Sequence, residues 1–178
     1  MTTVARQVLA DLEAAHIFLE LEDDPQHFKV LWVAAVSLAR AVGHVLQKVD
    51  AQRSQHLSSA VTTAYAGWKR APARNEIFWS FIEDERNSLL KQYEIGYFPG
   101  PVDVTLEPGS DVVRLGDQLF CPMEDGPYAG EDCRDVLGEA TIWWREQLDA
   151  IDLASSSGSR RDDNVSSRSD CFTGHWCI

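Results

Sequence analysis

Between Gln26 and Val49 the chain repeats an apolar side chain every seven residues, at Phe28, Ala35, Val42 and Val49. Leu31, Leu38 and Val45 fill the alternate positions, with Trp32, Ala39 and Leu46 beside them. Each residue turns an α-helix by about 100°, so this spacing gathers the apolar side chains along one side of a long helix. A strand would divide the same set between two faces. Such a seam suits helix–helix packing. Val33 and Val36 fall away from it, which predicts burial on more than one side: a central place in a bundle, or a dimer interface.

The flanking sequence extends the bundle. Val8, Leu12, Ala15 and Leu19 stripe a first helix over Thr3 to Leu21, which Glu22-Asp23-Asp24-Pro25 ends because proline cannot continue the hydrogen-bond ladder. Leu57, Val61, Tyr65 and Trp68 mark a third helix over Ser54 to Arg70, broken by Ala71-Pro72-Ala73. A fourth is predicted from about Asn75 to Ile95, with Phe78, Ile82, Leu89 and Tyr93 on one face. Gly96-Tyr97-Phe98-Pro99-Gly100-Pro101 stops it.

The period then changes. Val102 to Leu106 alternates as a strand, Glu107-Pro108-Gly109-Ser110 reads as a turn, and Val112 to Leu115 pairs with Gln118 to Phe120 across Gly116-Asp117. A last helix, about Glu131 to Asp152, offers Val136, Leu137, Ala140, Trp143, Trp144, Leu148 and Ile151 to the core. Adjacent tryptophans on a helix point about 100° apart. Burying both needs contacts on two surfaces; otherwise one serves a docking face. From Leu153 the serine-rich composition is that of a disordered tail. The predicted fold is mainly α: an up-and-down bundle of four to five helices. Residues 1–152 form one domain, with a small antiparallel β-hairpin insertion at about 102–121 and the final helix at about 131–152. A disordered tail covers 153–178.

Composition narrows the function. The 178 residues are enough for one domain with a proper core, and the net charge is -12. That charge argues against a broad phosphate-binding surface and disfavours RNA as a partner, while leaving room for a local basic site. The longest uncharged apolar run, Val30 to Ala39, is about half of the ~20 residues a membrane-spanning helix needs, so no membrane partner is predicted. The N-terminus runs directly into an amphipathic helix, with no targeting segment expected. Four cysteines without a CxxC pair fit a reduced, cytoplasmic setting. No phosphate-cradling glycine loop, nucleophile elbow or HExxH motif occurs, and no cofactor is predicted. Glu13, His16 and Glu20 share a helix face, a pattern acidic helices often produce. Cys171, His175 and Cys177 offer only three ligands at irregular spacing. No metal site is predicted from either.

The candidate site is Glu85-Arg86-Asn87. In a regular helix Glu85 and Arg86 fall on the apolar face between Ile82 and Leu89. A guanidinium there costs several kcal/mol, roughly, unless it is paired or opens to a wet cleft. An internal ion pair with Glu83, Glu85 or an acid from another helix is one reading. On the second helix, Ser37, Arg40, His44 and Lys48 share a face, so Arg40, His44, Glu85 and Arg86 are expected around one polar pocket. His44 titrates near neutrality and would serve as a base there.

Arg86 and Asn87 in a helical bundle resemble the HEPN superfamily, whose motif is an arginine, a polar residue and, four to six residues on, a histidine. The resemblance covers about residues 3–96. It implies a small homodimeric helical protein, often a metal-independent ribonuclease of defence or toxin–antitoxin systems. Lys91, Gln92 and Tyr93 stand where the histidine belongs. Metal-free RNA cleavage needs a base for the 2′-hydroxyl and a cation for the phosphorane. Arg86 suits the second role, while Tyr93 with its ordinary pKa near 10 is a poor base. The expected function is therefore a non-catalytic or regulatory, dimerising or partner-binding protein. The alternatives are an active ribonuclease using Arg86, Asn87 and Tyr93 or His44, and a structural module held by a buried ion pair.

Overall fold

The computed structural model describes residues 1–105, 112–116 and 119–169, with the side chains of 158–169 excepted. Three long helices open the chain: α1 over Thr3–Glu20, α2 over Pro25–Lys48 and α3 over Gln55–Arg70. Each lies within one residue of its expected bounds, and local chemistry sets the starts. The Asp24 carboxylate accepts the N–H groups of Gln26 and His27, both at 2.9 Å, with Pro25 at the first helical position. Ser54 Oγ accepts the Leu57 N–H at 3.2 Å. The start of α1 is capped from afar, where buried Asp50 accepts Val4 N–H at 3.1 Å and Ala5 N–H at 2.8 Å.

The fourth segment is not the single α-helix that the periodicity predicts. A 3₁₀ turn over Pro72–Asn75 leads to a π-helix over Ile77–Glu83, and α4 covers only Asp84–Gln92. Tyr93 ends it in the left-handed region at φ 57°, short of the expected Ile95. The π turns bond each N–H to a carbonyl five residues back. The widened coil brings Phe78, Phe81 and Ile82 into the core together.

Beyond it, β1 (Asp103–Thr105) pairs antiparallel with β2 (Val112–Arg114), Asp103 opposite Arg114. The small antiparallel sheet is present, joining the strand at 102–106 to the one that follows the turn, while the second hairpin expected across Gly116-Asp117 is not formed at Leu119. Val112–Arg114 turns back onto 103–105, and Leu119 N–H closes a turn onto the Gly116 carbonyl at 3.2 Å instead of entering a strand. The expected turn at 107–110 lies outside the described residues.

The final helix, α5, spans Cys133–Ser169 and so runs on past the expected end at Asp152. Serine hydroxyls there bond back along the helix, Ser156 to Asp152 O at 2.9 Å and Ser157 to Leu153 O at 2.9 Å. A serine-rich composition therefore did not end it, and no proline intervenes. Residues 170–178 lie outside the described residues, with Cys171, His175 and Cys177 among them.

The core lies between α1, α2, α3 and α5 and ends in an aromatic cluster. Trp143 and Trp144 are both buried, because α5 meets two surfaces. Trp144 donates to the Ala39 carbonyl on α2 at 2.8 Å, and Trp143 donates to Asn75 Oδ1 at 3.3 Å. Phe78 stacks on Trp143 with ring centroids 5.2 Å apart, and Trp68 lies 4.9 Å from Trp143. Seven residues of α2 are buried, from Phe28 to Leu46. By length and composition 25–53 would suffice to cross a membrane, and 33% of its most apolar window is buried.

Candidate functional site

Glu85 is the charge that the fold takes inside. Glu85 and Leu89 turn inward, on the face that also buries Phe78 and Ile82, while Arg86 lies at its edge on a half-buried flank. Glu85 is 7% exposed. Its Oε1 accepts the Trp32 indole N–H from α2 at 3.1 Å and the Gly96 backbone N–H at 2.8 Å. A Cβ on Gly96 would stand 2.2 Å from Oε2, so glycine is what permits this approach. Burial pushes the Glu85 carboxyl above its usual range, and the bonds from Gly96 and Trp32 oppose that only in part.

Tyr97 closes the site from below, edge-on to Phe28 at 5.3 Å and to Trp32 at 5.5 Å. Burial pushes its phenol far above the ordinary value. Above Glu85 opens a cleft of about 650 Å³. Asp84, Glu85, Glu94, Glu124 and Asp125 line it together with Tyr93, and no cation is among its described lining residues. An all-acidic wall repels a phosphodiester, so this cleft does not suit RNA.

The other expected site residues do not converge there. Arg40 pairs with Glu83 at 3.3 Å and borders a separate cavity of about 340 Å³ over Trp68, Phe78 and Trp144. His44 is exposed on the outer side of α2, with no hydrogen-bond or ion-pair partner among the described residues. Arg86 Nη1 donates to Asn87 Oδ1 at 3.1 Å, and Arg86 has no ion pair among the described residues. Tyr93 is exposed, with Lys29 Nζ 4.8 Å from its ring centroid. The pocket expected from Arg40, His44, Glu85 and Arg86 is therefore not assembled, and neither is an ion pair at Arg86. Glu83 is engaged by Arg40, and Glu85 is bound by N–H donors.

The chain matches no protein-family model, no curated protein and no solved structure.

Two constellations escaped the sequence reading. Trp32 and Gly96 as partners of Glu85 are one, although an indole N–H on a buried helix face requires an acceptor and is a usable signal. Asp132 with Arg134 is the other. Arg134 forks onto the carboxylate, Nε to Oδ1 at 2.8 Å and Nη2 to Oδ2 at 2.7 Å, while Oδ2 also accepts Cys121 N–H at 3.0 Å. Burial alone would raise the Asp132 carboxyl; Arg134 and the two backbone N–H groups outweigh it and hold it below the usual range. His16 bonds to the Arg134 carbonyl at 2.9 Å, while Glu13 turns away to Arg145. His16 Nε2 also lies 3.3 Å from Glu20 Oε1, so two of the three side chains meet and Glu13 does not join them.

Proposed function

We propose that this chain is a non-catalytic, HEPN-like cytoplasmic module that docks a partner, in the first instance a second copy of itself, on the outer side of α2 and α4. The observation that carries this is the uncovered face of an apolar helix. Val30 is 59% exposed, Ala34, Ser37 and His44 are exposed, and Ala41 is partly so. These positions recur at three- and four-residue intervals and form one stripe. Their small side chains allow close helix approach. α4 packs on another side of α2, through Trp32–Glu85 and Lys29–Tyr93, since Trp32 lies roughly opposite this stripe around the helix. It separately exposes Leu90 and carries the half-buried Arg86–Asn87 pair. A guanidinium oriented by a neighbouring amide, without a carboxylate of its own, suits an acidic partner, and this chain carries a net charge of -12.

Catalysis is disfavoured by the positions of the bases. Tyr93 faces an acidic cleft, and His44 stands on α2 outside that cleft's lining. The test is self-association by light scattering after size exclusion, wild type against Arg86→Ala, with melting temperatures for both. The expected result is a wild-type dimer weakened by the substitution at unchanged melting temperature. A monomeric wild type, or equal loss of stability and association, contradicts it. Single-stranded RNA incubated with the protein in EDTA should stay intact. Cleavage that Arg86→Ala abolishes would establish the ribonuclease instead.

A further inference from the structure

Two thiols face each other where the chain pairs with itself. Pro122 and Asp132 form an antiparallel bridge, and that register sets Cys121 opposite Cys133. The Cys133 N–H donates to the Cys121 carbonyl at 2.9 Å. Directly opposed residues of an antiparallel pair have Cα atoms about 4.5–5.5 Å apart, inside the roughly 4.4–6.8 Å that a disulfide spans. The side chains meet as well, the Cys133 thiol donating to the Cys121 sulfur. Neither cysteine is in a disulfide, and both are buried.

Their surroundings differ. The hydrogen bond from Cys133 favours the Cys121 thiolate, and Arg134, held in place by Asp132, adds positive charge. Burial keeps Cys133 protonated. One sulfur is thus the better nucleophile, and the other lies in reach to resolve what it forms.

We propose that Cys121 and Cys133 are an oxidisable dithiol that hydrogen peroxide converts to an intramolecular disulfide. The Cys121 thiolate attacks a peroxide oxygen; the S–O bond forms, the O–O bond breaks and hydroxide leaves, giving a sulfenic acid. The Cys133 sulfur then attacks Cys121 Sγ. The S–S bond forms, the S–O bond breaks, and the departing hydroxide takes the Cys133 proton as water. Two thiols are oxidised and one peroxide is reduced to two waters, counting the proton that Cys121 first released.

The linkage acts on the Glu85 site. The segment after Cys121 pairs with the chain after α4 as well as with 131–133. Phe98 N–H donates to the Pro122 carbonyl at 2.8 Å, and Glu124 N–H donates to the Gly96 carbonyl at 2.8 Å. Fixing Cys121 to α5 therefore fixes the strip that holds Gly96 against Glu85.

The test uses the full chain with Cys171→Ser and Cys177→Ser, treated with hydrogen peroxide without denaturant, then unfolded, alkylated and mapped by mass spectrometry. The expected product is a 121–133 cross-linked peptide that a dithiol reductant opens, and a higher melting temperature before reduction. Dimedone should label Cys121 in a further Cys133→Ser variant and leave Cys133 unlabelled in the Cys121→Ser variant. Full alkylation of both thiols, at peroxide doses that oxidise a cysteine peptide, overturns the proposal. So does a link that forms only in denaturant, and equal labelling of the two cysteines overturns the assigned roles.

Discussion

Glu85→Ala removes the acceptor that the Trp32 indole and the Gly96 amide share. A hydrogen bond to a charged group contributes about 1.5–3 kcal/mol, and a buried donor left unmade costs about 1–3 kcal/mol. The Trp32 N–H is buried and bears the full loss. The Gly96 N–H borders the cleft, where water replaces the carboxylate in part. Together the loss is about 3 kcal/mol, or a fall of about 6–12 °C in midpoint for a domain of this length. Glu85→Gln keeps an acceptor oxygen of similar shape and removes a buried charge, so at pH 7 it should equal or exceed wild type.

The pH dependence has a definite sign. Burial raises the Glu85 carboxyl in the folded state above the unfolded value of about 4.3. Its contribution is complete below that value and is lost as pH rises through the folded pKa. Gln removes this loss. Urea unfolding followed by circular dichroism across pH about 4 to 8 reads both effects. Should Gln destabilise as much as Ala at pH 7, the site needs the charge and the reasoning fails.

Two glycines give opposite expectations. A Cβ on Gly96 would meet Glu85 Oε2 at 2.2 Å, so Gly96→Ala should cost about 1–3 kcal/mol. Gly67, inside α3, has nothing within 4 Å of its would-be Cβ, and Gly67→Ala should add about 0.5–1 kcal/mol, both read by thermal melts. Asp132 opposes Glu85 in its pH response. Its carboxyl is held low in the folded state, so its stabilisation is present above the unfolded value of about 3.9 and is lost as pH falls through the folded pKa. Asp132→Asn should flatten the acid limb of the stability curve while lowering stability at neutral pH.

The long helices were legible because α1, α2 and α3 obey one period throughout and carry their caps in the sequence, as at Asp24-Pro25 and Ser54. The fourth segment was not. Its apolar residues fit a 3.6 period closely enough to hide a π-helix, and of the two charges that the period sets on the apolar face Glu85 is buried while Arg86 stays half-buried at its edge. The periodicity did set Glu85 between Ile82 and Leu89, and all three are buried. What it lacked was the long-range partner, since Gly96 and Trp32 reach Glu85 only through the turn after α4. The small sheet was legible. Alternation marked both strands and the turn signal between them set 112–114 back onto 103–105, while the further hairpin across Gly116-Asp117 does not form at Leu119. The end of α5 was misplaced because serine-rich composition competes weakly with a helix already anchored by Trp144 and Leu148.

The uncovered face of α2 is the feature on which the functional proposal stands, and Ala34 lies on it, exposed. Sedimentation equilibrium from low to several hundred micromolar, wild type against Ala34→Glu, tests it most directly. The expected result is a reversible wild-type dimer and a monomeric variant of unchanged melting temperature, because a carboxylate at an exposed position disturbs no core contact. A wild type that stays monomeric throughout that range, or a variant that dimerises equally well, would contradict it.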